Sequence, residues 1–284
     1  MSWEYNYLAL CNEVMQYGLR ENSRAGPTRA LLGRTLKVMV PPGRFPLTTT
    51  RKAFYKPVLG ELAAFLEGAE FNYDFVKHGC NYWTPNARAW MERNHGKEYT
   101  DKLADEDLEV GRIYGYQWRR WGGNPGFDQL AEAQRMIVNE PTSRRILVNC
   151  WNPADIDLMC LPPCHTHFQY HVRHGRLSCS IYMRSVDLCL GLPADVTLYF
   201  ALLCIMAQDC GLQPGELHYH FGNAHVYEAH IPGLMDQLKR VPYVEPKYTL
   251  GTLPDEKLLN NFKPAMFDID YAQKHDAISY ELFA

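Results

Sequence analysis

The sequence lacks a recognisable membrane segment, a signal peptide and an excess of basic residues. Its 284 residues contain no apolar run that we would assign to a bilayer, and the opening MSWEYNYLAL is acidic and aromatic where a signal peptide would be basic. Basic residues number 29 against 32 acidic ones, for a formal charge of −3. A general polyanion binder would be more basic. We therefore expect neither a membrane nor a nucleic acid as partner, although a few arginines could hold a small anionic substrate.

The sequence also lacks any C-x-x-C pair, although it has nine cysteines. Several of them lie in apolar stretches, where cysteine acts as a small buried hydrophobic residue. This usage predicts a protein of the reducing cytoplasm, or of the host cytoplasm for a phage protein. Two H-x-H pairs, which end at His167 and His220, could bind a metal, but no acidic or cysteine partner has a matching spacing. We therefore predict no metal.

No repeat, low-complexity segment or flexible linker divides the chain, so we predict a single domain over residues 1–284. A composition of 46% hydrophobic and 21% charged residues is typical of globular proteins. A chain of this length can bury a large core.

The spacing of apolar residues predicts helices over 5–19, 56–66, 127–139 and 195–209. It predicts a strand over 146–151 and a hairpin of 167–173 with 177–184, turning at His174 and Gly175. Residues 21–29 are expected to form a polar loop and 80–109 an irregular region. Strands followed by long helices, with few β-α-β alternations, indicate an α+β fold.

Cys164 is the most suggestive single residue, because two prolines in Leu-Pro-Pro-Cys-His stiffen the approach to it. A thiolate nucleophile needs nearby positive charge, which Arg184 could supply. A buried structural cysteine is the alternative. Glu61 lies among apolar residues of a predicted helix, which is an unfavourable place for a carboxylate.

Four arginines could gather around a phosphate, which favours planar bidentate donors. They are Arg24, Arg144, Arg145 and Arg184. Scattered arginines are more often surface residues, and distance along the chain does not decide between the two interpretations.

The order of these motifs is far more specific than any one of them. P-P-C-H at 162–165 is followed by Y-M-R-S-V-D-L-C-L-G-L-P at 182–193 and G-N-A-H-V-Y at 222–227. Further segments are N-S-R-A-G at 22–26, F-P-L-T-T-T at 45–50, G-E-L-A-A-F-L-E-G at 60–68, R-I-Y-G-Y-Q-W-R at 112–119 and S-R-R-I-L-V at 143–148. Together they resemble thymidylate synthase over nearly the whole chain.

The resemblance implies a thymidylate synthase fold, in which a large mixed β-sheet is flanked by helices and two copies pair sheet to sheet. It implies that Cys164 adds to C6 of a pyrimidine nucleotide, so that C5 can attack the one-carbon unit of 5,10-methylenetetrahydrofolate, the co-substrate. Glu61 would then organise water and move protons at the base, helped by a pKa raised through burial. Tyr114 and His165 would line the surroundings of the nucleophile.

The resemblance also assigns the ligands of phosphate, sugar and folate. Arg24 and Arg184 match phosphate ligands, and Arg144 and Arg145 match the pair that reaches the phosphate from the other subunit of a homodimer. Ser185 and Asp187 match residues near the phosphate and the folate, and His225 and Tyr227 match ligands of the sugar hydroxyls. Trp83, Leu161 and Gly191 match folate-pocket positions, and the C-terminal residues, including Ala284, should close over the ligands.

One departure from the family pattern bears on the substrate. After G-L-P, thymidylate synthases carry an aromatic residue and an asparagine, whereas this chain has Ala194 and Asp195. An asparagine suits the O4 acceptor and N3–H donor of uracil, whereas an aspartate suits the N4 donor of cytosine. Asp195 therefore predicts a cytosine nucleotide and a role in both binding and catalysis. The alternative is an ordinary N-cap aspartate, since residue 195 opens the predicted helix.

A second departure agrees with the first. Met183 replaces the usual glutamine before Arg184, as in phage deoxycytidylate (dCMP) 5-hydroxymethylases, which this base-recognition motif resembles. Asn223 replaces the family's usual aspartate, and we assign it no role.

The resemblance leaves the product open. Water attack on a C5 methylene gives a hydroxymethyl group, and hydride transfer from the folate gives a methyl group and dihydrofolate. We expect 5-hydroxymethylation of dCMP, preferred over CMP because Ser185 and the arginines are retained. The alternatives are a dCMP 5-methyltransferase, a divergent dUMP-using thymidylate synthase, and a non-catalytic nucleotide- or RNA-binding relative.

Overall fold

The computed structural model describes residues 2–23, 25–123 and 125–282. Within these ranges the helices are α1 (Trp3–Tyr17), α2 (Tyr55–Glu67), α3 (Asn72–Val76), α4 (Thr84–His95), α5 (Lys97–Thr100), α6 (Tyr114–Arg120), α7 (Gln129–Asn139), α8 (Gly191–Asp209), α9 (Ile231–Leu238) and α10 (Leu258–Asn261). The strands are β1 (Leu19–Ser23), β2 (Gly26–Val38), β3 (Leu147–Asn149), β4 (His165–Arg173), β5 (Arg176–Asp187), β6 (Gln213–Tyr227), β7 (Lys247–Leu250) and β8 (Phe267–Asp270).

Six strands form one large sheet in the order β1-β2-β6-β5-β4-β3, and β7 and β8 form a separate antiparallel pair. The β5–β6 pair is parallel and the other pairs of the large sheet are antiparallel. The parallel pair is possible because α8 connects its two strands, as a crossover requires. The predicted mixed sheet flanked by helices is therefore confirmed.

The two faces of the sheet differ. Alternate side chains such as Ile181, Met183 and Tyr219 are buried on one face, against which α8 packs. Their neighbours Tyr182 and His220 are exposed on the other face, as a period of two requires. The sheet-to-sheet homodimer would use this second face and stays a prediction.

The predicted β4–β5 hairpin is confirmed, and its turn residues explain why. His174 and Gly175 have φ values of 50° and 70°. Two successive positive φ angles are typical of the tight turn that matches the twist of paired strands. The hairpin brings the start of β4 beside Met183 and Arg184 on β5.

Two sequence predictions about the fold are wrong. Residues 21–29 are not a loop, because β1 pairs with β2 from Leu19↔Ala30 to Ser23↔Gly26. Strand β1 is exposed along its whole length, so it has no apolar alternation to reveal it. The region 80–109 is not irregular, because it contains α4, which buries only Ala87, Trp90 and Met91.

The expectation that no apolar run could be assigned to a bilayer also needs correction. An 18-residue stretch of the 19-residue helix α8 has a mean hydropathy of 1.4, so by length and composition this helix could cross a membrane. In the structure 78% of that stretch is buried inside the protein. Its apolar composition follows from this burial, since it packs on α2, β5 and β6.

Candidate active site

Cys164 lies just before β4, half-buried, on a loop that is tied to the neighbouring strand. The backbone N–H of Arg184 donates to the Cys164 carbonyl at 2.9 Å. The Arg184 side chain donates from Nε to the Pro163 carbonyl at 2.7 Å and from Nη2 to the Pro162 carbonyl at 3.0 Å. Both the backbone and the side chain of Arg184 therefore fix the loop that carries Cys164.

The sequence predicts that the positive charge of Arg184 favours the thiolate of Cys164, and the structure supports this only in part. Burial raises the pKa of the thiol, the positive charge of Arg184 lowers it, and the Asp195 carboxyl raises it again. The net pKa is raised, so Arg184 moderates the effect of burial without making the resting residue a thiolate. Chemistry at this sulfur needs a bound ligand or a base to take the proton.

Tyr114 and His165 lie beside Cys164, as predicted. The Tyr114 hydroxyl accepts a hydrogen bond from the Cys164 backbone N–H at 2.7 Å. The Tyr114 ring stacks on the imidazole of His165, with centroids 4.1 Å apart. Burial lowers the pKa of His165 to about 3, so its imidazole is neutral at physiological pH.

Asp195 lies in the second turn of α8, since that helix begins at Gly191. The N-cap interpretation of this residue is therefore wrong. Its Oδ1 lies 3.5 Å from Nε2 of His165. Burial raises the pKa of the Asp195 carboxyl well above its usual range, and the carboxyls of Glu61 and Asp187 act in the same direction. The carboxyl therefore tends to hold a proton.

Asp187 stabilises the turn that leads into α8. Its carboxylate accepts hydrogen bonds from the backbone N–H groups of Cys189 at 2.8 Å and Leu190 at 3.3 Å. Together with Cys189 and His230 it offers ligand atoms within 4.8 Å of one another. The two backbone contacts explain the position of the carboxylate without an ion, and we assign no metal here.

Glu61 extends from α2 toward the same region as Asp195. Its carboxylate accepts from Nε1 of Trp83 at 2.7 Å and from the hydroxyl of Tyr82 at 3.2 Å. Burial raises its pKa to about 7, although both hydrogen bonds act to lower it. The raised pKa predicted for this carboxyl is confirmed, and its physical cause is desolvation.

A cavity of about 430 Å³ lies between α2 and α8 and is mostly apolar. Both carboxyls line it, as does Gly191 at the start of α8. Trp83 is buried behind Glu61, and Leu161 is half-buried against the core. Among the described residues Leu161 and Cys164 do not line this cavity, so the folate-pocket prediction for Leu161 is left without support from it.

Sequence reasoning missed two cavity residues, Arg51 and Tyr82. Arg51 is only 6% exposed and donates from Nη2 to the Cys189 carbonyl, while its Nε has no hydrogen-bond partner among the described residues. A buried cation with a spare donor favours an anionic or strongly accepting ligand. Arg51 could have been identified from the sequence because it directly follows the family segment F-P-L-T-T-T. The backbone N–H groups of Thr49 and Thr50 in that segment donate to the carboxylate of buried Glu4.

A second group of predicted residues lies at the far end of the β5–β6 pair. Asp187 is aligned with His225, and Ser185 with Asn223, across the parallel strands. Nδ1 of His225 is 3.0 Å from Oδ1 of Asn223, and the His225 ring contacts that of Tyr227 edge-on at 5.3 Å. Asn223, to which we gave no role, therefore orients a predicted sugar ligand.

Arg144 lies beside the middle of β4, whereas Cys164 precedes the first residue of that strand. Arg144 and Arg145 are exposed, and the Arg144 carbonyl accepts from the Gln169 side chain on β4. Arg24 and Ala284 lie outside the described residues.

The comparisons with known proteins agree with the sequence resemblance. A family model described as thymidylate synthase matches residues 5–284, and the chain belongs to this family. Its members are folate-dependent one-carbon transferases that act on a pyrimidine nucleotide and use methylenetetrahydrofolate as co-substrate.

Individual relatives carry the same name. The chain is 35% identical to thymidylate synthase 1/2 of Encephalitozoon cuniculi over 294 residues, which covers 99% of this chain and 97% of that protein. It is 34% identical to the bifunctional dihydrofolate reductase-thymidylate synthase of Glycine max and 33% identical to a putative one of Oryza sativa subsp. japonica. The alignments cover 53% and 57% of these two, so this chain spans about half their length.

Proposed function

We propose that this protein 5-hydroxymethylates a cytosine nucleotide, with dCMP preferred over CMP, using 5,10-methylenetetrahydrofolate. The observation that carries the proposal is Asp195. This carboxyl lies in the wall of the cavity that also holds Glu61, and it cannot be explained as a helix cap.

The chemistry of the Asp195 carboxyl suits cytosine. Cytosine presents an acceptor at N3 beside a donor at N4, whereas uracil presents a donor at N3 beside an acceptor at O4. A protonated carboxyl offers one donor and one acceptor, and an ionised one accepts from both N4 and a protonated N3. A mismatched buried polar pair costs about 1–3 kcal/mol, which is enough to select a base.

The proposed reaction uses Cys164 as the nucleophile and Glu61 as the group that exchanges protons. The sulfur of Cys164 bonds to C6, the C5–C6 electron pair becomes available at C5, and C5 bonds to the one-carbon unit. Loss of the C5 proton and of the folate amine leaves a methylene on C5. Water then adds to it, and the sulfur leaves as C5–C6 re-forms. Glu61, with a pKa near 7, is suited to take and return protons at neutral pH.

The expected homodimer would complete the phosphate site. Arg184 is engaged beside Cys164, whereas Arg144 and Arg145 are exposed. In a sheet-to-sheet pair these two would serve the partner's nucleotide.

Two other reactions remain candidates. Retention of Trp83 beside Glu61 favours hydride transfer, which would make 5-methyl-dCMP and dihydrofolate. The names of the relatives favour a divergent thymidylate synthase that uses dUMP.

Product analysis tests all three. The protein is incubated with methylenetetrahydrofolate and dCMP, CMP or dUMP, products are weighed by mass spectrometry, and dihydrofolate is followed by absorbance. A hydroxymethyl increment on dCMP without dihydrofolate is the expected result. A methyl increment with matching dihydrofolate, or reaction of dUMP alone, contradicts the proposal. Cys164→Ser, which should bind nucleotide without turnover, is the control and separates an enzyme from a non-catalytic binder.

A further inference from the structure

A protonated Asp195 carboxyl does not by itself distinguish cytosine from uracil. Either oxygen of a protonated carboxyl can carry the proton, so the group can present donor and acceptor in either order. Cytosine and uracil differ in that order. Discrimination through Asp195 therefore requires that its proton be kept on one oxygen.

The structure contains a chain of contacts that can do this, beginning at Tyr199. Tyr199 lies one turn after Asp195 on α8 and is 1% exposed. Its hydroxyl is 2.7 Å from Nδ1 of His165, and the two rings meet edge-on at 5.1 Å. Among the described residues, His165 Nδ1 is the hydrogen-bond partner of this hydroxyl.

The direction of that hydrogen bond follows from burial. If Nδ1–H donated to the phenol oxygen, the buried phenol proton would have no acceptor among the described residues, which costs about 1–3 kcal/mol. The phenol therefore donates and Nδ1 accepts. A neutral imidazole has one N–H, so its proton is on Nε2.

Nε2 of His165 is the atom that faces Asp195. It lies 3.5 Å from Oδ1, close enough for an electrostatic contact, although the two atoms are not hydrogen-bonded in this structure. A protonated Nε2 beside Oδ1 opposes a second proton on that oxygen, which favours the carboxyl proton on Oδ2. The Tyr114 ring stacked on the imidazole and the Tyr219 hydroxyl, which donates to the Asp195 carbonyl at 3.1 Å, hold both partners in place.

We propose that Tyr199 is a positioning residue for base recognition, which fixes the tautomer of His165 and thereby the order of donor and acceptor on Asp195. This inference rests on the proposed function, since it assumes that Asp195 meets the base.

The tautomer is tested first, without any reaction. In protein labelled with ¹⁵N-histidine, the His165 signals are those missing from a His165→Gln variant. We expect an unprotonated Nδ1 and a protonated Nε2 in the wild type, and a mixture of tautomers in Tyr199→Phe. A wild-type spectrum with the proton on Nδ1, or a spectrum unchanged in Tyr199→Phe, overturns the proposal. The wild-type result stands even if the variant does not fold.

The second test measures discrimination. The ratio of kcat/KM for dCMP to that for dUMP should fall about tenfold in Tyr199→Phe, by the free energy of one hydrogen bond. Equal loss on both nucleotides indicates a merely structural role and overturns the proposal. In a His165→Gln background the same substitution should not change the ratio further, because its effect passes through the imidazole.

Tyr170→Phe is the matched control. Tyr170 is 1% exposed in the same core, and its hydroxyl has no hydrogen-bond partner among the described residues. It should keep the wild-type ratio. A wild type that prefers dUMP would contradict the proposed function, and in that case a weakened uracil preference in Tyr199→Phe would still support the positioning role.

Discussion

Two half-buried carboxyls face one cavity from different helices, and their surroundings differ. Glu61 on α2 accepts from two neutral donors, Trp83 and Tyr82, and its pKa is about 7. Asp195 on α8 faces the neutral ring of His165, and burial raises its pKa well above the usual range. Hydrogen-bond donors lower the pKa of the first carboxyl, whereas burial and two neighbouring carboxyls all raise that of the second.

This difference suggests a division of work. A carboxyl that titrates near neutral pH can exchange protons with a reacting base, whereas one that keeps its proton can present a fixed pattern to the base edge. Burial thus raises the pKa of both carboxyls, and the neighbouring side chains determine whether each one exchanges a proton or keeps it.

The largest expected effect comes from removing the titrating carboxyl. Glu61→Gln keeps the shape and one acceptor but cannot take a proton, so we expect kcat to fall by about 10²–10⁴-fold while nucleotide binding persists. Turnover and nucleotide affinity are measured separately. Glu67→Gln at the end of the same helix, which loses surface ion pairs with Lys77 and His78, is the control and should keep its turnover. Equal loss in both variants would refute the assignment.

The second substitution changes the recognising carboxyl. Asp195→Asn supplies the donor and acceptor that uracil requires, so the preference should move from dCMP toward dUMP by about 10²-fold or more in kcat/KM. Competition between the two nucleotides measures it. Asp209→Asn is the control on the same helix, because its carboxylate accepts from the backbone N–H groups of Leu258 and Leu259 at 2.9 and 3.0 Å. An unchanged preference in Asp195→Asn means that the base is selected elsewhere.

The smallest effect concerns stability and its pH dependence. The folded-state pKa of Glu61 is raised from 4.5 to about 7. The folded protein therefore binds this proton more tightly, and its favourable contribution is complete below about pH 4.5 and lost as pH rises through 7. Glu61→Gln should gain stability relative to wild type between pH 5 and pH 8, by ~3 kcal/mol at most. Thermal unfolding of both proteins at the two pH values measures it, and a pH-independent difference would contradict the shift.

Much of the fold could be predicted from the sequence where burial leaves a periodic pattern. Helix α2 ends before Gly68, whose φ of 75° suits the residue that stops a helix, and the β4–β5 hairpin turns at His174 and Gly175. Prediction failed for β1, which is paired through its backbone but exposed on both faces, and for α4, which buries only three residues. In both cases the stabilising contacts leave no apolar pattern to detect.

The family can be inferred from the sequence alone, because many ordered motifs resemble thymidylate synthase and the chemistry of Cys164, Glu61 and Asp195 is specific to residue type. The state of each of these groups depends on the folded structure. It showed that burial outweighs Arg184 at the Cys164 thiol, that Asp195 is inside α8, and that Tyr199 contacts His165. Desolvation and hydrogen-bond direction depend on neighbours that are distant in the chain, such as Tyr199 for His165, 34 positions away, and Glu61 for Asp195, 134 positions away. These residues become neighbours only when the chain has folded.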